Sequence, residues 1–210
     1  MTAHTSVAAP SVQMLRPTLD GLASLADAVE ALRALPRRYL FRTYRHGDEA
    51  GWATLMNTGQ MEQWDVERAR EKLTGCPWPQ FDPDGLFMIT HGPDQEIVGS
   101  ACAWLAEPAE TETGVLHMVC VLPDHRGARL SYVLCLAALH RFHERGFQRV
   151  RLTTGAWRLG AVKTYLRLGF RPWYRKPGQP EQWRAALDAL HWEDHVAPIV
   201  DETVEERDRA

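Results

Sequence analysis

The chain has 210 residues, of which 45% are hydrophobic and 24% charged, and its formal net charge is −3. That balance excludes a disordered polyelectrolyte, and no apolar run reaches the roughly 20 residues needed to cross a bilayer, so a soluble chain without a membrane partner is expected. Cys76, Cys102, Cys120 and Cys135 make no Cys-x-x-Cys pair, and the N-terminus has neither a basic start nor an apolar run of secretory length; reduced thiols and a cytoplasmic setting are expected.

Residues 1–17 are small, polar and Pro-containing, which predicts a disordered N-terminus. Residues 18–36 form a helical extension, because Leu19, Leu22, Leu25, Ala26, Val29, Leu32 and Leu35 fall three or four apart before Pro36. Its apolar face must pack on the rest of the chain or on a second copy, which would make a homodimer. Residues 37–176 read as one α/β domain. Tyr39–Tyr44 is the first strand, Asp48 and Glu49 open a helix, and Met61–Leu73 is a second helix. After an irregular Pro77 to Pro83 link, Leu86–Thr90 turns through Gly-Pro-Asp-Gln-Glu into Ile97–Leu105. With the strand from Val115 this hairpin builds a meander, and later strands from Val150 and Arg171 complete a mixed, mostly antiparallel sheet flanked by helices.

The most informative stretch runs from Val115 to Phe147. An apolar strand is stopped by Pro123, a basic turn holds Asp124, His125, Arg126, Gly127 and Arg129, and a long helix follows with Leu130, Val133, Leu134, Ala137 and Phe142 at helical spacing. The first N–H groups of such a helix lack intrahelical partners and point into the turn, where the helix dipole and two guanidiniums favour a phosphate or pyrophosphate. The segment Val121 to Lys176 carries twelve of the 24 Lys and Arg residues and only two acids, Asp124 and Glu144, as suits a polyanionic ligand. From Asp48 to Thr113 acids outnumber Lys and Arg by thirteen to three.

Two basic candidates lie on or beside the central strand. One is His117, because an imidazole is the side chain that ordinarily titrates near neutral pH, and the other is Glu112, at the strand's start. Strand alternation sets His117 and Val119 on one face and Met118 and Cys120 on the other. Cys120 is read as a small buried hydrophobe rather than a nucleophile. In the last segment, residues 177–210, Trp183, Leu187 and Leu190 mark a short helix before an acidic, mobile tail. His191 and His195 flank Glu193 in the order His-Trp-Glu-Asp-His, which differs from His-Glu-x-x-His, and His140 and His143 read as surface residues; no metal is expected.

The run Arg126, Gly127, Ala128, Arg129, Leu130, Ser131 resembles the acyl-CoA-binding turn of the GNAT superfamily of acetyltransferases, Arg or Gln, two residues, Gly, one residue, Gly or Ala. Arg129 stands at its central Gly and Ser131 at its last small position. A second stretch, Thr153–Phe170, is similar to the family's following helix, with Ala161, Tyr165, Gly169 and Phe170 at matching spacing and Arg158 where Asn is frequent. The runs Tyr-Arg-His-Gly-Asp-Glu-Ala-Gly-Trp and Phe-Asp-Pro-Asp-Gly-Leu-Phe resemble a bacterial, mycothiol-synthase-like branch, which often has two acids where Gly155 and Ala156 stand and Pro at Gly160.

The resemblance implies a GNAT-like fold and an N-acetyltransferase moving an acetyl group from acetyl-CoA, or another acyl-CoA, to an amine of a small molecule or an exposed amino group by direct attack. It implies that the backbone of Val119, Cys120 and Val121, the turn from Arg126 to Ser131, and Arg158 meet the cofactor, and that Tyr165 is the general acid. His117 and Glu112 are the alternatives for the base, unless an ordered water serves. Arg129 favours a rival reading, a GNAT-like fold whose acetyl transfer is lost or repurposed. The basic half lacks a reading helix or aromatic platform, so no nucleic-acid partner is expected.

Overall fold

The computed structural model describes residues 11–59, 63–75, 82–107, 109–175, 178–192 and 196–200. It divides into two compact units, residues 17–151 and residues 1–16 with 152–210. The division falls inside the segment 37–176 expected to be one domain, and the N-terminal helix belongs to the first unit.

In that first unit, β2 (Tyr39–Thr43), β3 (Leu86–His91), β4 (Glu96–Trp104) and β5 (Thr113–Val121) form the antiparallel meander. The opening residues of β6 (Arg149–Gly155) run parallel to β5, pairing Thr113, Gly114 and Val115 with Arg149, Val150 and Arg151. Helix α4 (Leu130–Glu144) covers one face, burying Leu130, Val133, Leu134 and Phe142. It comes so close that Gly114 is required: a Cβ there would collide with the Phe142 ring. Helix α1 (Leu25–Arg33) lies against α4 and β2. It begins at Leu25, later than the apolar spacing predicts, because Ser24 caps it, its Oγ accepting from Asp27 N at 3.2 Å.

Helices α2 (Glu49–Asn57) and α3 (Val66–Thr74) cover the other face. Asp65 caps α3, accepting from Arg68 N at 2.8 Å. Trp52, Leu55, Leu73, Met88, Cys102, Trp104, Met118 and Cys120 form the core beneath them. The start of the predicted second helix, Met61–Glu62, lies outside the described residues. A buried ion pair fastens the 3-10 turn Pro83–Gly85 to α4: Arg141 Nε donates to Asp82 Oδ2 at 2.8 Å, Nη2 lies 2.6 Å from the same oxygen, and Arg145 is 3.7 Å away. Part of the basic excess thus serves the fold.

The second unit corrects the disordered reading for residues 11–16 alone; residues 1–10 lie outside the described ones. Ser11–Arg16 form strand β1, antiparallel to β7 (Arg171–Tyr174), with Met14 opposite Pro172. Val12 and Met14 alternate inward and are fully buried, a period-two signal too short to stand out among small polar neighbours. Helix α5 (Leu159–Arg167) follows β6, and Arg16 donates a hydrogen bond to the Leu168 carbonyl just beyond its end. Helix α6 (Gln179–Leu190) buries Trp183 and Ala186, as its spacing predicts. Strand β8 (Ile199–Val200) pairs parallel with β7 inside the segment read as tail; residues 201–210 lie outside the described ones.

Candidate active site

Strand β5 is not regular. Val115, Leu116 and His117 oppose Trp104, Ala103 and Cys102, whereas Cys120 and Val121 oppose Ser100 and Gly99. Two residues, Met118 and Val119, thus face the single Ala101, which is a β-bulge, and Met118 takes a left-handed backbone with φ 53°. The Ser100 hydroxyl, itself buried, donates to the Met118 carbonyl at 2.9 Å and holds the bulge.

The bulge corrects the expected alternation. His117 and Cys120, three apart, both face the α2–α3 side, because their opposite numbers Cys102 and Ser100 do. His117 is exposed and its ring stands edge-on to Trp104 with centroids 6.0 Å apart. Lys72 Nζ lies 4.2 Å from the Trp104 ring on that side, and Arg68 lies 4.7 Å from the Trp64 ring. The same wall that sequence composition makes acidic therefore carries two cations from α3. The buried Cys120 thiol donates to the Leu55 carbonyl at 3.4 Å, in keeping with a structural role.

Beyond the bulge the chain turns through Pro123–His125 into the basic loop. Arg126 folds back, its Nε donating to the Val121 carbonyl at 3.2 Å. Gly127 has φ 84° and Arg129 φ 60°. Arg129 thus adopts the left-handed backbone for which Gly is favoured, and the loop path survives the substitution. Its guanidinium leans over the Tyr132 ring at 5.6 Å. The Arg129 side chain makes no capping hydrogen bond to α4. Left-handed residues just before a helix start make a concavity of backbone N–H groups suited to a phosphate. On its other edge, β5 is in register with β6 only as far as Val115 among the described residues.

The remaining candidates stand elsewhere. Glu112 lies at the far end of β5, its carboxylate 3.4 Å from Arg149 and its carbonyl accepting from Gln148 N and Arg149 N. At about 3.3 Å per residue this is roughly 20 Å along the strand from Val119. Tyr165 is in the second unit, buried on α5, with its ring edge-on to Phe170 at 5.9 Å. Arg158 precedes α5 and stacks on the exposed Trp157 at 4.5 Å. The structure brings His117, Val119, Cys120, Val121 and the turn from Arg126 to Ser131 onto one continuous segment; Glu112 is apart from them.

Residues 38–170 match the model of the acetyltransferase (GNAT) family. The chain belongs to the GNAT family. Among curated GNAT relatives, mycothiol acetyltransferase of Nocardia farcinica is 37% identical over 129 residues, covering 60% of this chain and 37% of its own. That of Rhodococcus jostii is 30% identical over 155 residues, covering 70% of this chain and 50% of its own. The chain thus spans half or less of these relatives' length. A GCN5-related N-acetyltransferase from Sphaerobacter thermophilus shares the GNAT fold with TM-score 0.57 and 22% identity over 77% of this chain and 48% of its own. The mixed, mostly antiparallel α/β architecture agrees with it.

Sequence reasoning missed the Met118 bulge and its Ser100 clasp. No residue type announces them, since Met is not a favoured left-handed residue; only the register with β4 reveals the extra residue. It also missed Glu49. That carboxylate is buried, accepting from the Tyr44 hydroxyl at 2.5 Å and from Gly47 N at 3.1 and 3.2 Å, with His46 Nδ1 at 3.1 Å. Burial alone would raise its pKa, but these hydrogen bonds prevail and hold it down to about 2. Burial, with the Glu49 bond, pushes the Tyr44 phenol above its usual range.

Proposed function

We propose that the chain is an acyl-CoA-dependent N-acyltransferase that moves an acetyl group from acetyl-CoA to the amine of a small molecule or an exposed amino group. The observation that carries this reading is the pairing of a bulged β5 with the left-handed Gly127–Arg129 turn directly after it. A pyrophosphate seated on the turn, with Arg126 and Arg129 beside it, would lay the pantetheine arm along the edge of β5 that has no register with β6 past Val115. Backbone N–H groups at Val119–Val121 would then stabilise the oxyanion as the amine nitrogen attacks the thioester carbon. The C–N bond forms, the C–S bond breaks, and a proton goes to the departing thiolate, a role that the family resemblance gives to Tyr165. His117 takes the proton from the attacking amine, directly or through water. It is preferred to Glu112, which is engaged with Arg149 at the other end of the strand.

Other GNAT proteins support the cosubstrate: one neighbour from Mycobacterium tuberculosis was solved with CoA, at TM-score 0.51 and 16% identity over 73% of this chain and 89% of its own. The acetyl group is proposed from the relatives' names, and the acceptor is left as an amine because the chain spans at most half of those relatives. No described helix is long and apolar enough to cross a membrane. Cys102, Cys120 and Cys135 are buried free thiols, which suits the reducing cytoplasm proposed for this chain. The partners proposed are acyl-CoA and the amine, with no nucleic acid. Helix α1 lies against α4 and buries Leu32; a homodimer is the further partner proposed.

Calorimetric titration with acetyl-CoA, followed by thiol-release assays over an amine panel, tests the reading. Micromolar binding with amine-dependent CoA release is expected. A folded chain that binds no acetyl-CoA would overturn it.

A further inference from the structure

Three side chains outside the acyl-transfer reading come together at the turn of the β3–β4 hairpin. His91 ends β3, Glu96 begins β4, and the two are cross-strand partners. His125 closes the 3-10 turn just ahead of Arg126, and its imidazole stands edge-on to His91 with centroids 4.9 Å apart. One donor atom from each of the three residues lies within 4.8 Å of the others. We propose that His91, Glu96 and His125 form a binding site for a divalent transition metal of the Zn2+ class.

The donor set selects the ion. Two imidazoles and one carboxylate are a combination Zn2+ accepts with water in the fourth position, whereas Ca2+ and Mg2+ prefer all-oxygen cages. Bonds of about 2.1 Å in a tetrahedron put donors about 3.4 Å apart. Donors already within 4.8 Å therefore need to close by little more than 1 Å. Glu96 is exposed and His91 half-buried, so both have room to turn. His125 is the fixed member: it is buried, and the hydroxyl of the buried Tyr39 sits 3.0 Å from its Nδ1. An outer hydrogen bond of this kind orients an imidazole that coordinates through its other nitrogen. The three ligands come from two strand ends and a loop with no motif spacing, so the sequence, whose pairs His191 with His195 and His140 with His143 give no metal motif, carries no sign of this group. Only the fold makes this group visible.

The site lies one residue from Arg126, so a bound ion would pin the loop and add positive charge beside it. Its test is independent of acyl transfer. Tag-free full-length protein, stripped with a chelator, is titrated with Zn2+ against a chromophoric chelator and with Co2+ by visible absorption. One ion per chain at micromolar Kd or tighter is expected, with tetrahedral Co2+ bands. Because His125 is buried, the decision rests on surface variants: Glu96→Gln should weaken binding about tenfold or more, and the double variant His91→Asn, Glu96→Gln should lose the Co2+ bands. No stoichiometric binding by the folded parent overturns the proposal. So does unchanged affinity in a folded double variant, which would assign the ion to other histidines.

Discussion

Arg129 occupies a left-handed position at φ 60°, where a side chain costs about 1–2 kcal/mol relative to Gly. Replacing it with Gly relieves that strain but enlarges the entropy of the unfolded chain by about 0.5–1 kcal/mol. The net expectation for Arg129→Gly is a stabilisation of about 0.5 kcal/mol, read by denaturant melts. Acetyl-CoA affinity should fall about five- to tenfold by calorimetry, because one guanidinium is lost beside the proposed pyrophosphate while the loop path is kept. Tighter binding would show that the side chain blocks the turn. Tyr165 poses a different question, since it is buried against Phe170 and its hydroxyl is the proposed acid. Tyr165→Phe should lower kcat about 100-fold and leave acetyl-CoA affinity within about twofold. Equal loss in both would assign the hydroxyl to structure.

The elements owe their positions to a few polar contacts inside an apolar frame. Ser100 clasps the Met118 carbonyl from the neighbouring strand, so Ser100→Ala should cost about 1–2 kcal/mol and, by relaxing the bulge, reduce turnover more than it reduces acetyl-CoA affinity. Asp82 accepts a hydrogen bond from Arg141 Nε and pairs with its Nη2 while almost wholly buried. Asp82→Ala leaves the partly exposed Arg141 guanidinium only Glu144, 3.9 Å away, and should cost about 3 kcal/mol, measured as a loss of unfolding free energy. These contacts mark the limit of what the chain's pattern discloses. The β5–turn–α4 segment was legible because a Val-rich strand, a Gly-bearing basic turn and a helical apolar stripe each announce themselves locally. The meander, α6 and the burial of Cys120 were legible for the same reason. The bulge, strand β1 and the His91–Glu96–His125 group were not, since each exists only through a partner far along the chain. His117 shows the consequence: regular alternation assigns it the wrong face relative to Cys120, and one inserted residue reverses the inference.

For the whole molecule, the acid limb of stability should carry the signature of Glu49. Its carboxylate is held down to about 2 in the folded chain, against an ordinary value of 4.5. The unfolded chain therefore binds a proton that the folded chain refuses over that interval. The stability Glu49 supplies is complete above about pH 4.5 and drains away as pH falls towards 2. His46 and Gly47 contribute from exposed positions, whereas the half-buried Tyr44 hydroxyl is the better shielded donor, so salt should weaken the effect only in part. Glu49→Gln keeps the shape and removes the titration. Its unfolding free energy should be lower at pH 7, and its decline between pH 4.5 and 2 shallower, than in the parent. Parallel acid profiles for the two proteins would show that Glu49 is not the group through which acid unfolds the chain.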